Sequence, residues 1–370
     1  MLSKGKYPVL RVGNFFTNQN WYYSDLELDQ DKYCDNGDLL YAWSASFGPR
    51  IWHGGKSIYH YHIWKVVPDS NLICKQFLYY LLQWDTKALK DAHSTGSTML
   101  HISKTTIEKR LVPIPCPDNP EKSLAIQSEI VRILDKFTAL TAELTAELNM
   151  RKKQYNYYRD QLLSFDEEQE KPIYLEKLLD GVEVEWKTLG SIAELKRGTS
   201  ITKKDVIDGT IPVVAGGRTP AYYHNTSNRD GQTIVIAGSG AYAGFVSWWE
   251  EPIFVSDAFT VKPHNILLPR YCYHFLMNMQ QQLHEFKSGG GVPHVYPRDV
   301  SPILIPIPCP DNPEKSLAIQ SEIVRILDKF DTLTNSITEG LPREIELRQK
   351  QYEYYRDLLF SFPKPEAVSN

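Results

Sequence analysis

The centre of the chain carries apolar side chains at alternating steps of three and four residues, if Thr141 and Arg151 fill two vacant positions. This spacing is typical of a coiled-coil seam. The seam residues are Ile130, Leu134, Phe137, Leu144, Leu148, Tyr155, Tyr158, Leu162 and Phe165. Asn119 or Asp118 can cap the segment, and Pro120 suits the first helical position. The pattern therefore predicts one long helix.

The same pattern returns near the C-terminus because the chain contains an internal repeat. Residues 113–137, PIPCPDNPEKSLAIQSEIVRILDKF, are identical to residues 306–330. KQYNYYRDQLLSF at residues 153–165 returns as KQYEYYRDLLFSF at residues 350–362. The separation between the copies grows from 193 to 197 residues, so the second copy contains four additional residues. We therefore predict two long helices of nearly the same sequence.

The four-residue insertion interrupts the second seam. Gly340 and Pro342 stand beside it and predict a local unwinding or kink. The seam residues on either side are Ile323, Leu327, Phe330, Ile337, Leu341, Tyr352, Tyr355, Leu359 and Phe362. Each helix could pack on the domain before it, or the two could pair. A seam of about 45 residues spans roughly 65 Å, longer than such a domain is wide, which favours antiparallel pairing with pseudo-twofold symmetry.

A mixed segment in which strands dominate precedes each helix. In the second half, β-rich runs at residues 210–216, 232–238 and 252–263 are bounded by Gly, Pro and Asn. A helix with an apolar face follows at residues 270–286 and has a counterpart at residues 75–84. The expected fold class is α+β, with two mixed, strand-rich domains that are each followed by a long helix.

This pattern divides the chain into domains, helical repeats and connecting segments. They are a first domain at residues 1–112, a central helical repeat at 113–165, a linker at 166–184, a second domain at 185–305, a C-terminal helical repeat at 306–362 and a tail at 363–370. Segments 37–46 and 95–101 of the first domain correspond in pattern to 231–240 and 288–294 of the second. The nearly identical helices indicate a shared task, and the diverged domains indicate different ones.

Composition excludes several classes of protein. Of the 370 residues, 42% are hydrophobic and 23% charged, so the chain is neither disordered nor fibrous. The net charge of -4 argues against a uniformly basic nucleic-acid coat but leaves local basic patches open. The chain has neither a long apolar run nor a secretory leader, so we expect a soluble, cytoplasmic protein with no membrane partner. The five cysteines lack Cys-x-x-Cys spacing and are expected to be free thiols.

The sequence lacks the motifs of a catalytic site. GGKS at residues 54–57 resembles the end of a phosphate-binding loop, but Arg50 stands where the upstream glycine is required. GSG at residues 238–240 lacks the His and Asp context of a nucleophile elbow. The histidines of the first half form no helical metal-ligand pair; they are His53, His60, His62, His93 and His101. We therefore expect no catalytic, cofactor-binding or metal-binding residues.

Polar, basic and aromatic loops in both domains have the chemistry of nucleic-acid recognition, because Lys and Arg meet phosphates while Arg, Ser, Thr, Asn and His reach base edges. The DNA-binding candidates in the second domain are Lys196, Arg197, Thr199, Gly217, Arg218, Thr219, Tyr222, Ser239, Tyr242, Lys287, Ser288, His294 and Tyr296. Those in the first domain are Asn18, Trp21, Tyr22, Ser44, Ser46, Arg50, His93, Thr95, Ser97 and His101. A solvated turn is an equal alternative for any single residue, but the loops recur at matching places.

Two diverged domains, each followed by a helix carrying EIVRILDKF and KQYxYYRDxLxSF, resemble the DNA specificity subunit of type I restriction-modification systems. WKTLGSIAELKRGTSIT at residues 186–202 is similar to the opening of a target-recognition domain of that family. The resemblance covers essentially the whole chain. It implies that each domain reads one half of a bipartite, asymmetric sequence in double-stranded DNA, and that the helices set the unread spacer.

The resemblance also implies partners that perform the chemistry. Two modification subunits would supply adenine methylation that depends on S-adenosylmethionine, and two restriction subunits would supply translocation and cleavage that depend on ATP and Mg. The chain itself would be non-catalytic and hold no cofactor. Identical repeated helices suit two copies of one partner; the contact candidates, for which solvation is an equal alternative, are Lys122, Glu129, Arg132, Asp135 and Lys136.

The first domain departs from this family pattern. In the second half 27 residues, 185–211, reach the IPVV strand, whereas about seven precede Tyr7-Pro8-Val9. The first domain is therefore expected to be about twenty residues short and to lack a counterpart of ELKRGTSIT. One alternative is thus a truncated or silent-cassette variant that binds modification subunits but reads one half-site or none. Another is an aromatic-rich carbohydrate-binding protein on a coiled-coil stalk.

Overall fold

The computed structural model describes residues 3–16, 19–44, 46–93, 104–165, 177–179, 181–288 and 291–363. Their contacts divide the chain into two compact units. Unit 1 contains residues 1–143 and 345–370, and unit 2 contains residues 144–344. Each unit therefore combines one strand-rich domain with part of each helical repeat. The domain boundaries drawn from the sequence separate domains from helices instead, and they stay a prediction.

The described residues of unit 1 form two sheets. The strands are β1 (Tyr7–Leu10), β2 (Tyr22–Ser24), β3 (Tyr33–Cys34), β4 (Leu39–Ser44), β5 (Ser46–Ile51), β6 (Ser57–Tyr59) and β7 (Ile63–Val66). In one sheet β1 pairs antiparallel with β2 and parallel with β6, which also pairs with β3. In the other, β4 lies between β5 and β7. The helices that begin in this unit are α1 (Val12–Phe16), α2 (Lys75–His93), α3 (Lys104–Glu108) and α4 (Pro120–Ser164).

The described residues of unit 2 form three sheets. The strands are β8 (Val184–Thr188), β9 (Ala193–Arg197), β10 (Ile211–Val214), β11 (Tyr222–His224), β12 (Thr233–Ala237), β13 (Val246–Trp249), β14 (Phe254–Val255), β15 (Ala258–Pro263) and β16 (Leu304–Pro308). The sheet orders are β11-β10-β14, β13-β12-β15-β9 and β16-β8. The helices that begin here are α5 (Leu189–Ile192), α6 (Pro269–Asn278), α7 (Gln280–Glu285), α8 (Pro297–Val300), α9 (Pro313–Asn335) and α10 (Gly340–Leu359).

The two units share a topology, as the repeat predicts. β10 pairs antiparallel with β11 and parallel with β14, just as β1 pairs with β2 and β6. β12 lies between β13 and β15 as β4 lies between β5 and β7. The strands predicted at residues 210–216 and 232–238 are confirmed. The two strand-rich domains also confirm the predicted α+β class.

Two predicted elements of unit 2 are each divided in two. The run at residues 252–263 forms β14 and β15 rather than one strand, because the chain leaves its parallel pairing with β10 before it pairs antiparallel with β12. The helix predicted at residues 270–286 breaks at Met279 into α6 and α7. At this break the side chain of Gln280 makes two hydrogen bonds. It accepts one from the Val246 N–H at 3.0 Å and donates one to the Gly244 carbonyl at 2.8 Å.

The long helices match the sequence prediction closely. α4 is continuous, whereas the second copy ends at Asn335 and resumes at Gly340, whose φ of +77° lies in the left-handed region that glycine tolerates. Asn119 and Asn312 cap the two copies, and each side chain accepts a hydrogen bond of 3.0 Å from the N–H three residues on. One seam position was wrong: Ile337 is 80% exposed because it lies in the non-helical link that the insertion creates.

Aromatic stacks show how the two helical copies pair. In unit 1, Phe137 of α4 stacks on Tyr355 of α10 with ring centroids 5.5 Å apart. In unit 2, Phe330 of α9 stacks on Tyr158 of α4 at 5.6 Å. Phe330 is the repeat counterpart of Phe137, and Tyr158 that of Tyr355. Within each unit the beginning of one copy therefore packs on the end of the other, as antiparallel pairing requires.

The apolar cores include seam residues, so each helix also packs on its own domain, as the alternative proposed. In unit 2 the buried Leu162 of α4 and Leu327 of α9 join Tyr271 of α6 in one cluster. In unit 1 the buried Leu134 of α4 joins Phe77 of α2. The seam therefore serves both helix pairing and attachment of the domains.

A buried glutamine joins each helical copy to its domain. Gln127 accepts a hydrogen bond from the Cys74 N–H at 2.8 Å and donates to the carbonyl two residues upstream at 2.9 Å. Its counterpart Gln320 repeats both bonds with Leu268 and the carbonyl two residues before it, at 2.8 and 3.0 Å. Both glutamines are fully buried. The joint therefore uses only backbone atoms of the domain.

An aspartate makes a second joint whose partners differ between the units. In unit 1 the Tyr80 hydroxyl donates to Asp135 at 2.5 Å. In unit 2 the counterpart Asp328 lies 2.7 Å from both Arg270 Nε and His274 Nε2. Asp135, which the sequence offered as a candidate for partner contacts, therefore already has an intramolecular role.

The described residues of unit 1 contain no counterpart of β8, α5 and β9, and the shortness of the first domain stays a prediction. In unit 2, β16 pairs with β8, and Ile305 of β16 is fully buried. Its repeat counterpart Val112 lies outside any strand and is 38% exposed. The segment that leads into the helical copy is thus paired with a strand in unit 2, whereas its counterpart in unit 1 is partly exposed.

Candidate nucleic-acid interface

Several loops of unit 2 converge at one end of the sheet β13-β12-β15-β9. β9 ends there at Arg197, and Ala237 at the end of β12 pairs with Ala258 at the start of β15. The loop 238–244 meets residues 287–288 and 291–296 at the same end, because backbone hydrogen bonds join them. Gly240 N–H donates to the Pro293 carbonyl at 2.9 Å and Val295 N–H donates to the Gly238 carbonyl at 3.0 Å.

Glycine is required where two of these loops approach their neighbours. A Cβ atom on Gly216 would lie 2.4 Å from the Ser239 carbonyl oxygen. One on Gly198 would lie 2.2 Å from the Ser256 carbonyl oxygen. Real Cβ atoms do not approach backbone oxygen so closely. The loops that begin at residues 198 and 215 can therefore pack against their neighbours only if residues 198 and 216 are glycine. The clustering of loops is therefore built into the sequence.

Aromatic rings position the cations of this surface. Arg197 and Arg298 lie over the Tyr296 ring, with Cζ 5.1 and 4.7 Å from the centroid. Arg218 lies 4.9 Å from the Tyr242 centroid. Such stacking orients a guanidinium while leaving its N–H groups free for phosphate or guanine. The sequence prediction missed Arg298, whose position directly after the Tyr296-Pro297 dipeptide was the available signal.

Polar predicted residues complete the same surface. The Ser239 hydroxyl donates to Asp257, and the His294 ring stacks on Tyr296 at 5.7 Å. Lys287 Nζ donates to a carbonyl of loop 238–244 at 2.8 Å, and the Ser288 and His294 backbones pair with each other. Gly217 and Thr219 flank Arg218 on an exposed loop. The Thr199 N–H donates a hydrogen bond to the Val255 carbonyl, and Tyr222 is the first residue of β11.

Lys196 is separated from this group. It neighbours Arg197 on β9, and successive side chains of a strand point to opposite faces. Because Arg197 stacks on Tyr296, Lys196 faces away from the aromatic group. Asp257, by contrast, was missed by the sequence prediction because it lay within a run interpreted as one strand.

The predicted residues of unit 1 are more scattered. Trp21 packs on Trp52 with ring centroids 6.3 Å apart, so it belongs to the packing of the domain. Tyr22 lies under Arg11 at 4.1 Å. Arg50 of β5 pairs with Leu40 near the start of β4, at the opposite end of that strand from Ser44. It lines a cleft of about 780 Å³. Asn18, Thr95, Ser97 and His101, and the side chains of Ser44, Ser46 and His93, lie outside the described residues.

Unit 1 instead presents an aromatic array that the sequence prediction missed. The rings of His60, Tyr61 and His62 lie within 5.0 Å of one another, and His62 meets Trp43 at 5.0 Å. Tyr61 is 70% exposed. Burial, with the charges of His62 and Arg11 added to it, lowers the pKa of His60. The signal was the string YHYHIW at residues 59–64, which was interpreted as ordinary histidines.

A family model for the type I restriction modification DNA specificity domain matches residues 2–151 and 181–347. The chain belongs to this family. The two matched ranges cover both strand-rich domains and much of the helical repeats. The match confirms the resemblance inferred from the helical motifs and from residues 186–202.

Relatives with curated names agree with this assignment. The chain is 45% identical over 326 residues to the specificity subunit of a type I restriction enzyme of Escherichia coli, covering 82% of this chain and 74% of that protein. It is 39% identical over 277 residues to a second such subunit of Escherichia coli, covering 71% and 63%. A Haemophilus influenzae protein named as a type I restriction enzyme specificity subunit is 33% identical over 336 residues, covering 84% and 78%.

Solved structures share the fold. The chain is similar to the S subunit of a type I restriction-modification system from M. genitalium, with a TM-score of 0.61 and 20% identity, covering 98% of this chain and 90% of that one. A second structure, from work on complex assembly and conformational transition of the type I system, gives a TM-score of 0.53 and 15% identity, covering 89% and 82%. Both likenesses support the two-domain α+β arrangement.

Specificity subunits recognise DNA rather than catalyse a reaction, so membership of this family confirms the prediction that the chain is not an enzyme. Burial raises the pKa of the Cys34 and Cys272 thiols to about 12, which keeps them protonated and unreactive. Within the described ranges, no group of three or more His, Cys, Asp and Glu side chains could hold a metal ion. The described helices include none that is long and apolar enough to cross a membrane.

Proposed function

We propose that this specificity subunit binds double-stranded DNA by sequence, with each unit reading one half of a bipartite target. The observation that carries the proposal is the convergence of glycine-rich loops with three aromatic-stacked arginines at one end of the unit 2 sheet. Phosphate contacts from such cations hold the register, while His294 can reach base edges. The acidic whole-chain charge does not oppose this, because it is an average over the chain, whereas three arginines share one surface of unit 2.

The paired helices would set the length of DNA left unread between the halves. α4 contains 45 residues, which at 1.5 Å per residue is about 67 Å, or roughly two turns of DNA at 34 Å per turn. A coiled coil of that length is stiff enough to act as a ruler. The spacer would then depend on the length of the helical copies rather than on the side chains of the loops.

The helical repeats would also bind the partners. Exposed polar residues are identical in the two copies although packing does not require it; they are Glu121, Lys122, Ser128, Arg132 and Lys136 with their counterparts Glu314, Lys315, Ser321, Arg325 and Lys329. Two identical surfaces suit two modification subunits, which would use S-adenosylmethionine to methylate adenine. Two restriction subunits would join them and use ATP and Mg to translocate and cleave DNA.

A second candidate is a subunit that assembles with modification subunits but reads only the unit 2 half-site. It is favoured by unit 1, whose described residues contain no counterpart of β9 and its Arg197. The aromatic array around Tyr61 favours the first candidate, because an exposed aromatic surface offers contacts to bases.

Methylome sequencing tests both candidates. The chain would be expressed with its cognate modification subunits in a host without other adenine methylation, and methylated positions would be mapped. A split motif with an adenine in each half would support the first proposal, and a single continuous half-site would support the second. An assembled complex that methylates no defined motif would contradict both. A matched complex carrying Arg197→Ala and Arg298→Ala should lose the unit 2 half-site.

A further inference from the structure

An exposed carboxylate lies between two loops of the candidate interface of unit 2. The Gly238 N–H donates to the Asp257 carbonyl oxygen at 3.1 Å, and the Gly198 N–H donates to the carbonyl of the next residue, Ala258, at 2.9 Å. The Ser239 hydroxyl donates to Asp257 Oδ2. Asp257 is therefore fixed between two loops of the interface, and its side chain is exposed.

This carboxylate is unfavourable for binding DNA in general. Phosphates carry one negative charge per 1.7 Å of duplex, and an anion among Arg197, Arg218 and Arg298 opposes the attraction that those cations provide. Aspartate reaches DNA bases as an acceptor for exocyclic amino groups, classically N4 of cytosine. A base amino group is the part of DNA that this site would attract rather than repel.

The hydrogen bonds leave one carboxylate oxygen for that purpose. Oδ2 is used by Ser239, whereas Oδ1 accepts no hydrogen bond from any residue that the structure describes. The donor from Ser239 and the backbone bonds on either side hold the carboxylate in one orientation. A fixed acceptor of this kind distinguishes bases better than a mobile one, because little conformational freedom is lost on binding.

We propose that Asp257 Oδ1 is a specificity-determining acceptor that takes a hydrogen bond from the exocyclic amino group of a base, N4 of cytosine or N6 of adenine, in the half-site read by unit 2. The inference rests on the proposed DNA-reading function. It assigns a recognised chemical group to one position of the target and leaves the other positions to the remaining loops.

Unit 1 provides a natural contrast at the same place in the fold. β4 pairs Tyr41 with Trp64, and β12 pairs the counterpart Val235 with Thr260. Trp64 and Thr260 are therefore equivalent positions. Three residues before each of them stand Tyr61 in unit 1 and Asp257 in unit 2. Tyr61 is exposed but has no carboxylate, so the two units present different chemistry to their half-sites from an equivalent connection between strands.

The test is selection from a pool of randomised duplex DNA by the full-length chain assembled with its modification subunits. Wild-type protein should select cytosine or adenine at one position of the unit 2 half-site by about tenfold or more, and the selected base tells the two amino groups apart. Asp257→Asn should invert that preference toward thymine or guanine, because the amide oxygen remains with Ser239 and the amide N–H₂ now points where Oδ1 was. The other positions should be unchanged.

Matched controls separate this role from a structural one. Asp230→Asn removes an equal charge and disturbs a similar bond, since the Ser227 hydroxyl donates to Asp230 at 2.8 Å, but it lies before the opposite end of β12. It should leave the motif intact. Uniform loss of affinity at every position in Asp257→Asn, or an unchanged preference, would overturn the inference while the motif itself upheld the proposed function. Should wild-type protein select no motif, the proposed function fails, and the inference that rests on it fails with it.

Discussion

The side-chain oxygen of Gln320 accepts a hydrogen bond from the backbone N–H of Leu268 at 2.8 Å. Its repeat counterpart Gln127 makes the same bond to Cys74 at the same distance. Since the helix recognises only the backbone at this joint, one helical sequence can hold two domains whose side chains have diverged. The identity of the repeats and the divergence of the domains are thus compatible.

Gln320→Leu should destabilise unit 2. The substitution leaves a backbone N–H and a carbonyl oxygen buried without partners, and each such group costs about 1 to 3 kcal/mol. We expect a loss of about 2 to 4 kcal/mol in the free energy of unfolding, measured by urea denaturation with tryptophan fluorescence.

Gln349→Leu is the control for this change, because Gln349 is exposed on α10. It should alter the free energy of unfolding by less than about 0.5 kcal/mol. Equal effects of the two substitutions would show that the buried bonds of Gln320 do not hold the joint.

Asp328 should make the stability of unit 2 sensitive to acid. Burial by itself raises the pKa of this carboxyl, but the hydrogen bonds from His274 and Arg270 outweigh it and hold the pKa below its ordinary value. A lowered pKa in the folded state contributes stability that is present above the unfolded value near 3.9 and is lost as pH falls through the folded value.

The stability gap between wild-type protein and Asp328→Asn should therefore be largest near neutral pH and should shrink as the pH falls below about 4. Urea denaturation at several pH values from 3 to 7 measures the gap. Asp205→Asn, in which the lost carboxylate is bonded only to nearby Thr202, should show a much smaller gap at neutral pH. A gap for Asp328→Asn that is constant across this range would contradict the assignment.

Arg218 should contribute to DNA affinity through charge. Arg218→Ala should weaken binding at low salt and reduce the slope of log affinity against log salt by about 1, because one fewer counterion is released. Electrophoretic mobility shifts at several salt concentrations measure both quantities. Lys262→Ala removes a cation near the far end of β15 and should leave the slope unchanged. If the two substitutions gave the same slope, the DNA surface would lie elsewhere.

Local sequence patterns predicted the helices because the spacing of three and four residues and the asparagine caps are properties of the helix itself. They did not distinguish Trp21, which packs on Trp52, from Tyr61, which is 70% exposed. Both stand in polar, aromatic segments, and pairing between strands distant in sequence decides which ring is covered. Asp257 was missed for a similar reason, since the connection between β14 and β15 becomes evident only when the partners of each strand are known.

Deletion of residues 336–339 should change the spacer of the recognised sequence. These residues form the link between α9 and α10, and their removal restores the 193-residue separation between the copies. The non-helical link is then removed, so the helical signal per residue in far-ultraviolet circular dichroism should rise, while Pro342 keeps a kink at the junction. Four residues at 1.5 Å each correspond to about 6 Å, close to two base pairs at 3.4 Å.

Methylome sequencing of the assembled complex would report the spacer directly. Replacement of the same four residues by four alanines keeps the chain length and is the control for the loss of their side chains. We expect the deletion to alter the number of unread base pairs by one or two, and the alanine variant to alter it less, because the length of the helical copy is what the ruler depends on. A deletion variant that assembles, methylates and keeps the original spacer would show that the helices do not set it.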